Sequence, residues 1–268
     1  MASWPIDIEL PLPGESLELD IQHRKICLRR SSDNQLELTG EAYKQGVVIG
    51  GSPDMTTARF LPSLGTMPLL VFPKSRLLCP GHQSFEVAFS VPVYIVMGLG
   101  SETRGFTRVI DFPPMRVPRA LYGPVDSGII CRSVQTEIYH SLAVARRQTS
   151  VSEETSSETG ESNPFLSAPP PAVLAIKLEN TTSEPLDIIK IMAPLAHLNL
   201  YEEDGDLLTN HLRMKLLGEL EAELTSTGSA SPEAIPLKDL NGNPVVQDQR
   251  PTLFAHNYKQ KTGLEFGF

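Results

Sequence analysis

Cysteine and histidine have the widest chemical reach in this chain. Cys79-Pro80-Gly81-His82 sets a thiol and an imidazole at the spacing of half a zinc site. A structural zinc needs four ligands, usually supplied as two such pairs. Cys27 and Cys131 stand alone, and His23, His140, His197, His211 and His256 form neither an HxH nor an HExxH group. No metal site is therefore expected, and Pro80-Gly81 reads as a turn. Cys131 with His140 is the thiol–imidazole combination to weigh for nucleophilic catalysis. Ile129-Ile130 ahead of it, however, points Cys131 into a core, where cysteine behaves as a small hydrophobe. The Gly-x-Ser-x-Gly elbow of serine hydrolases is missing, and no two carboxylates stand out as an acid–base pair in an apolar setting. No catalytic residue and no cofactor are assigned.

Two further segments have the composition of sites. Gly98-Leu99-Gly100-Ser101-Glu102-Thr103-Arg104-Gly105 follows a strand, as a phosphate loop does, but has neither the dinucleotide nor the Walker spacing. The residues after it, Phe106 to Ile110, read as extended. Without a helix N-terminus there is no row of free amides to hold phosphate, so a hairpin turn is expected. The segment Ala120 to Arg132 is the most distinctive: two glycines, a proline and Asp126-Ser127 build a turn between apolar runs. Tyr122, Gly123, Asp126 and Arg132 are the candidate ligand-binding residues. Arg132 either pairs with Asp126 or takes an anion through its planar fork.

The elements that must position these residues read mostly as strands. Ile6, Ile8, Leu10 and Leu12 alternate with polar residues, Pro13-Gly14 follows as a turn, and Leu17, Leu19 and Ile21 alternate again. This predicts a starting hairpin. Phe85, Val87, Phe89, Val91, Val93 and Ile95 form the clearest run. Pro92 within it cannot donate to a ladder, which places the strand at an edge or a bulge. In 212–224 residue propensity favours helix, but the apolar residues all fall on even positions, so a strand kinked at Gly218 is expected. Asp204-Gly205 supplies the positive φ angles of a tight hairpin. Val173–Leu178 and Leu186–Ile191 read as strands joined through Asn180-Thr181-Thr182.

Residues 146–171 contain the acidic run Glu153 to Ser162 followed by Ala168-Pro169-Pro170-Pro171. Such a stretch cannot bury enough surface to offset its ordering entropy, so a flexible linker is expected there. A second flexible stretch is expected at 226–232.

Composition narrows the function classes. The 268 residues are 40% hydrophobic and carry a net charge of −9, from 23 basic and 32 acidic residues. That balance opposes non-specific nucleic-acid binding, which needs cations to replace condensed counterions, and docking on anionic lipid. Arg29-Arg30 and Arg146-Arg147 sit in no aromatic-rich context. Three widely spaced cysteines are not a disulfide framework and suit a reducing compartment. MASWPIDIEL lacks a secretory pattern, and no run approaches the roughly 20 apolar residues of a membrane span. A cytoplasmic protein without a membrane span is expected.

The block ArgAlaLeuTyrGlyProValAspSerGlyIleIleCysArg (119–132) resembles the family catalogued as domain of unknown function 432. The extended Pro73–Met97 region, the strand around Asn180-Thr181-Thr182 and the ending Gly263 to Phe268 follow the family's order. The resemblance implies an all-β protein and carries no activity, cofactor or catalytic residue with it.

The expected fold class is thus all-β: two antiparallel β-sandwich-like domains, or one extended sandwich. The expected units are an N-terminal β domain at 1–145, the linker at 146–171 and a C-terminal sandwich-like domain at 172–268. The expected function is non-catalytic protein interaction or assembly through an exposed sheet edge. The alternative is a small-ligand-binding protein or hydrolase with its pocket at the 119–132 turn.

Overall fold

The computed structural model describes residues 4–40, 43–114, 119–122, 130–150, 165–166, 168–218, 222–229 and 231–243. Alternation of apolar and polar residues resolves into β1 (Ile6–Glu9), β2 (Ser16–Ile21), β3 (Arg24–Ser32), β4 (Gln35–Gly40), β5 (Tyr43–Gly50) and β6 (Thr57–Leu64). These are followed by β7 (Leu69–Pro73), β8 (Leu77–Cys79), β9 (Ser84–Val91), β10 (Val93–Ser101), β11 (Gly105–Phe112), β12 (Arg119–Tyr122) and β13 (Ile130–Thr136). Helix α1 (Leu142–Ser150) precedes β14 (Phe165–Leu166), β15 (Ala172–Asn180), β16 (Leu186–Ile188), β17 (Ile191–Ala193), β18 (Leu200–Glu203), β19 (Asp206–Leu216), β20 (Ala222–Ser229) and β21 (Ile235–Pro236).

The strands build two sandwiches, as the all-β reading expects. In the first, the sheet β1-β6-β10-β11 faces the sheet β14-β2-β3-β4-β5. Their inner faces share one core, in which Leu19, Leu28 and Leu38 meet Phe60, Ile95, Met97 and Phe112. In the second, the sheet β21-β18-β19-β15-β9, with β20 beside β19, faces β12-β13-β7-β17 and the ribbon β8–β16. Its core gathers Leu69, Val71, Phe89, Ile176, Leu178, Leu212 and Met214. Most pairs are antiparallel, but β13 with β7, β15 with β19 and β14 with β2 are parallel.

Several local readings change. Ile6–Glu9 and Ser16–Ile21 do not pair with each other: β1 pairs with β6 and β2 with β3. The 212–224 run is two strands, β19 and β20, which pair with each other. Residues 226–229 continue β20. The start of the expected linker, 146–150, belongs to α1, while 151–164 lie outside the described residues. Ser141 opens this helix, its Oγ accepting the Val144 N–H at 3.4 Å. Strands from both sides of 146–171 share sheets, since β15 lies between β9 and β19. The chain therefore does not part into sandwiches along the expected 1–145 and 172–268 division. It passes between them at Gly65–Pro68, at Pro92, after β11, and again on either side of β14.

Pro92 sits where its chemistry suits it. β9 is the terminal strand of its sheet, and β10 begins one residue later inside the other sandwich. A residue with no N–H costs no ladder bond at that crossing. The Asp204-Gly205 hairpin forms as expected, with φ of 53° and 86°.

Candidate functional site

Of the 119–132 segment, β12 and the start of β13 pair antiparallel, with Tyr122 opposite Ile130. Gly123 and Asp126 lie outside the described residues, and of Tyr122 only the backbone is described. Arg132 is described in full. Its backbone N–H donates to the Pro68 carbonyl at 2.9 Å. Because side chains alternate along a strand, it shares a face with Val134, which packs on the second core. The guanidinium carbon stands 5.4 Å from the centre of the Tyr94 ring. Its Nη1 is shut off from solvent and has no hydrogen-bond acceptor. The structure thus brings Arg132 to Tyr94, a partner that the sequence reading did not name.

Tyr94 leads to a cleft. Register places Tyr94, Val96 and Gly98 on one face of β10, across from Ser63, Leu61 and Arg59 of β6. This is the outer face of its sheet, since Ile95 and Met97 point into the first core. The segment 237–241, leaving β21, crosses this face as a strap. A cleft of about 440 Å³ remains between sheet and strap, within the size range of small-ligand sites. Its apolar wall includes Leu61, Val96, Phe106, Leu198, Leu200 and Leu240. Gly65 and Thr66 also line it, and the Tyr94 ring packs directly behind Gly65, close enough that a Cβ there would lie 2.9 Å from it.

Arg59, a buried cation, holds the strap down. It grips Asp7 through Nε at 2.8 Å and Nη2 at 2.6 Å, and it donates from Nη1 to the Leu240 carbonyl at 3.1 Å. It also pairs with Glu102 and lies 3.9 Å over the Phe106 ring. The Asp7 hydrogen bond raises its pKa above the ordinary arginine value, and burial works against that rise. The Phe106 N–H donates to Asn241 Oδ1 at 2.6 Å. Gly98 leaves room for Leu240, whose methyl carbons would lie 2.7 and 2.8 Å from an added Cβ. The glycines read as a hairpin loop thus close β10 on β11, and one of them also seats the strap.

At the cleft wall, Asn199 is 5% exposed and its Oδ1 has no hydrogen-bond donor. Its backbone N–H is held by Asn210 Oδ1 at 2.5 Å. Sequence reasoning missed Asn199, Arg59 and the strap. The Asp239-Leu240-Asn241-Gly242 run was the available signal, because Asp239 Oδ1 accepts the N–H groups of Asn241 and Asn243 in an Asx turn.

The reactive candidates are spent on structure. Burial pushes the Cys79 and Cys131 thiols above their ordinary value, with Lys190 opposing the effect at Cys131. The Pro80–His82 turn packs against the 180–184 turn, and the His82 N–H donates to the Thr182 carbonyl at 2.9 Å. Among the described residues no three of His, Cys, Asp and Glu group as metal ligands. Arg30 donates to the carbonyls of Met55 and Asp33, and Arg146 to Glu203 and Asp206. Both basic doublets thus contain an arginine occupied within the fold. No helix among the described residues is long and apolar enough to cross a membrane.

Fold and site together define an all-β protein of two interleaved sandwiches with a cleft between them, and no nucleophile–base pair is assembled among the described residues. The chain belongs to the family described as protein of unknown function (DUF432), whose model matches residues 8–250. No curated protein and no solved structure matches it.

Proposed function

We propose that this protein is a non-catalytic binding module that takes an extended segment of a partner polypeptide along β11 and into the adjoining cleft. The observation that carries the reading is the coincidence of edge and cleft. β11 is the terminal strand of its sheet, and its Phe106 and Arg108 line the cleft. An added strand gains affinity from main-chain bonds and specificity from pockets for alternate side chains. The apolar wall suits aliphatic or aromatic side chains. The free cysteines, two of them buried, suit a reducing, cytoplasmic setting.

The test is a random peptide library displayed on phage and panned on the full chain. Enriched peptides are then titrated by fluorescence anisotropy against the wild type, Ser63→Arg and Val48→Lys. Ser63 lines the cleft without belonging to a core, so an arginine there fills the space. Val48 lies on β5, away from the cleft. The reading expects at least tenfold weaker binding to Ser63→Arg and unchanged binding to Val48→Lys. Failure of any peptide to enrich, or equal binding to the wild type and Ser63→Arg, refutes it.

A further inference from the structure

We propose that Arg132, backed by the Tyr94 ring, is a binding site for an oxyanion, a carboxylate or a phosphate group. The site is separate from the peptide reading of the cleft and does not depend on it.

The inference starts from a cation in an unusual place. Arg132 is half-buried on the core-facing side of β13, beside Val134 and opposite Leu69. Its Nη1 is out of reach of solvent and meets no acceptor. A buried charged donor is far costlier to leave unsatisfied than an exposed one. The groups around it do not meet the need. Tyr94 lends its ring face, a favourable seat for a guanidinium, but burial raises the phenol's pKa above its ordinary value, so it remains a neutral hydroxyl at neutral pH. Asp111 acts on Tyr94 electrostatically, yet both of its oxygens are taken by Arg108 at 2.8 and 2.6 Å. A planar fork with an unpaired Nη1 and a ring behind it is suited to an oxyanion.

The competing internal partner is Asp126, six residues before Arg132 in the sequence. The experiment separates the two. Isothermal titration and thermal shift are run with inorganic phosphate and with acetate at matched ionic strength, on the wild type, Arg132→Gln, Arg132→Lys and Asp126→Asn. The proposal expects saturable binding of phosphate, acetate or both to the wild type. Whichever binds names the group recognised. Arg132→Gln should raise Kd at least tenfold. Arg132→Lys, which keeps the charge and the fold but loses the fork, should weaken binding several-fold. Asp126→Asn should bind as well as the wild type or better. The proposal fails if neither anion binds the wild type, or if Arg132→Gln or Arg132→Lys binds undiminished. It also fails if only Asp126→Asn gains binding, since Arg132 is then partnered by Asp126.

Discussion

Replacing Arg59 with methionine isolates what fastens the strap to the first sandwich. Met keeps the length and apolar stem of arginine but removes every donor. The buried bond to the Leu240 carbonyl is charge-assisted and contributes roughly 1.5–3 kcal/mol. The fork on Asp7 is partly exposed on the acid's side, so solvent screening limits it to about 1 kcal/mol. Stacking over Phe106 adds roughly 1 kcal/mol. Methionine recovers about 1 kcal/mol by burying its own stem. The net loss should be about 3 kcal/mol, or roughly 6–12 °C in melting temperature for a chain of this size. Urea denaturation gives the free energy. Hydrogen exchange at the Phe106 amide, which donates to Asn241 Oδ1, reports whether the strap has come loose. Arg59→Lys should retain part of the stability, because an ammonium cannot span Asp7 and Leu240 with the same fork. A cost for Arg59→Met below about 1 kcal/mol, with the Phe106 amide as protected as before, would refute the assignment.

Three further outcomes follow from the same geometry. Asn180 is 3% exposed and uses both ends of its amide, donating to the Cys79 and Glu184 carbonyls and accepting from the Thr182 N–H and hydroxyl. Asn180→Ala should therefore cost about 3 kcal/mol in urea denaturation, and Asn180→Asp should not rescue it, since a carboxylate faces two carbonyls. In timed alkylation with iodoacetamide followed by mass spectrometry, the half-buried Cys27 should label before Cys79 and Cys131, whose thiols burial pushes up. Early labelling of Cys131 would mark it as reactive after all. Glu179 is held below its ordinary value of 4.5, chiefly by the hydrogen bond from Arg213. A depressed folded value gives stability that is present above the unfolded pKa and lost as pH falls through the folded one. The gap in urea midpoint between the wild type and Glu179→Gln should therefore hold at neutral pH and close progressively below 4.5.

What the sequence discloses here is local. The Asp204-Gly205 hairpin, the run from Phe85 and the even-position pattern of 212–224 each depend on neighbours in sequence; the hairpin forms, and the two runs are extended but each is split into two strands, β9 with β10 and β19 with β20. Partner choice does not. Ile6–Glu9 alternates as well as any segment, yet it pairs with β6 across more than forty residues, because that register sets Ile6 and Ile8 against the Phe60 core. Nothing within residues 1–21 encodes that preference. Helix α1 was hidden for a related reason. Its apolar residues are few, and it is held from outside, with Ala145 packed against Ala88 and Ala175 and Arg146 clamped by Glu203 and Asp206. Of the candidate site, Arg132 was readable because a lone arginine beside a glycine-rich turn is conspicuous. Tyr94 and Asn199 were not, because each sits in a run whose pattern is satisfied by strand alone.

The interleaved chain path explains why the cleft lies where it does. Leu64 at the end of β6 and Val93 at the start of β10 reach into the second core, and the ribbon from β9 through Pro92 into β10 carries the chain directly from one core to the other. Where the outer face of β6-β10-β11 meets the strap from the second sandwich, only Val96, Phe106 and Leu240 are buried as an apolar cluster. The rest of the attachment is polar, made by Arg59 on Leu240 and Phe106 on Asn241. The strap's seat on this face therefore depends more on polar contacts than on apolar burial. Its hydrogen bonds can open at lower free energy than either sandwich can unfold.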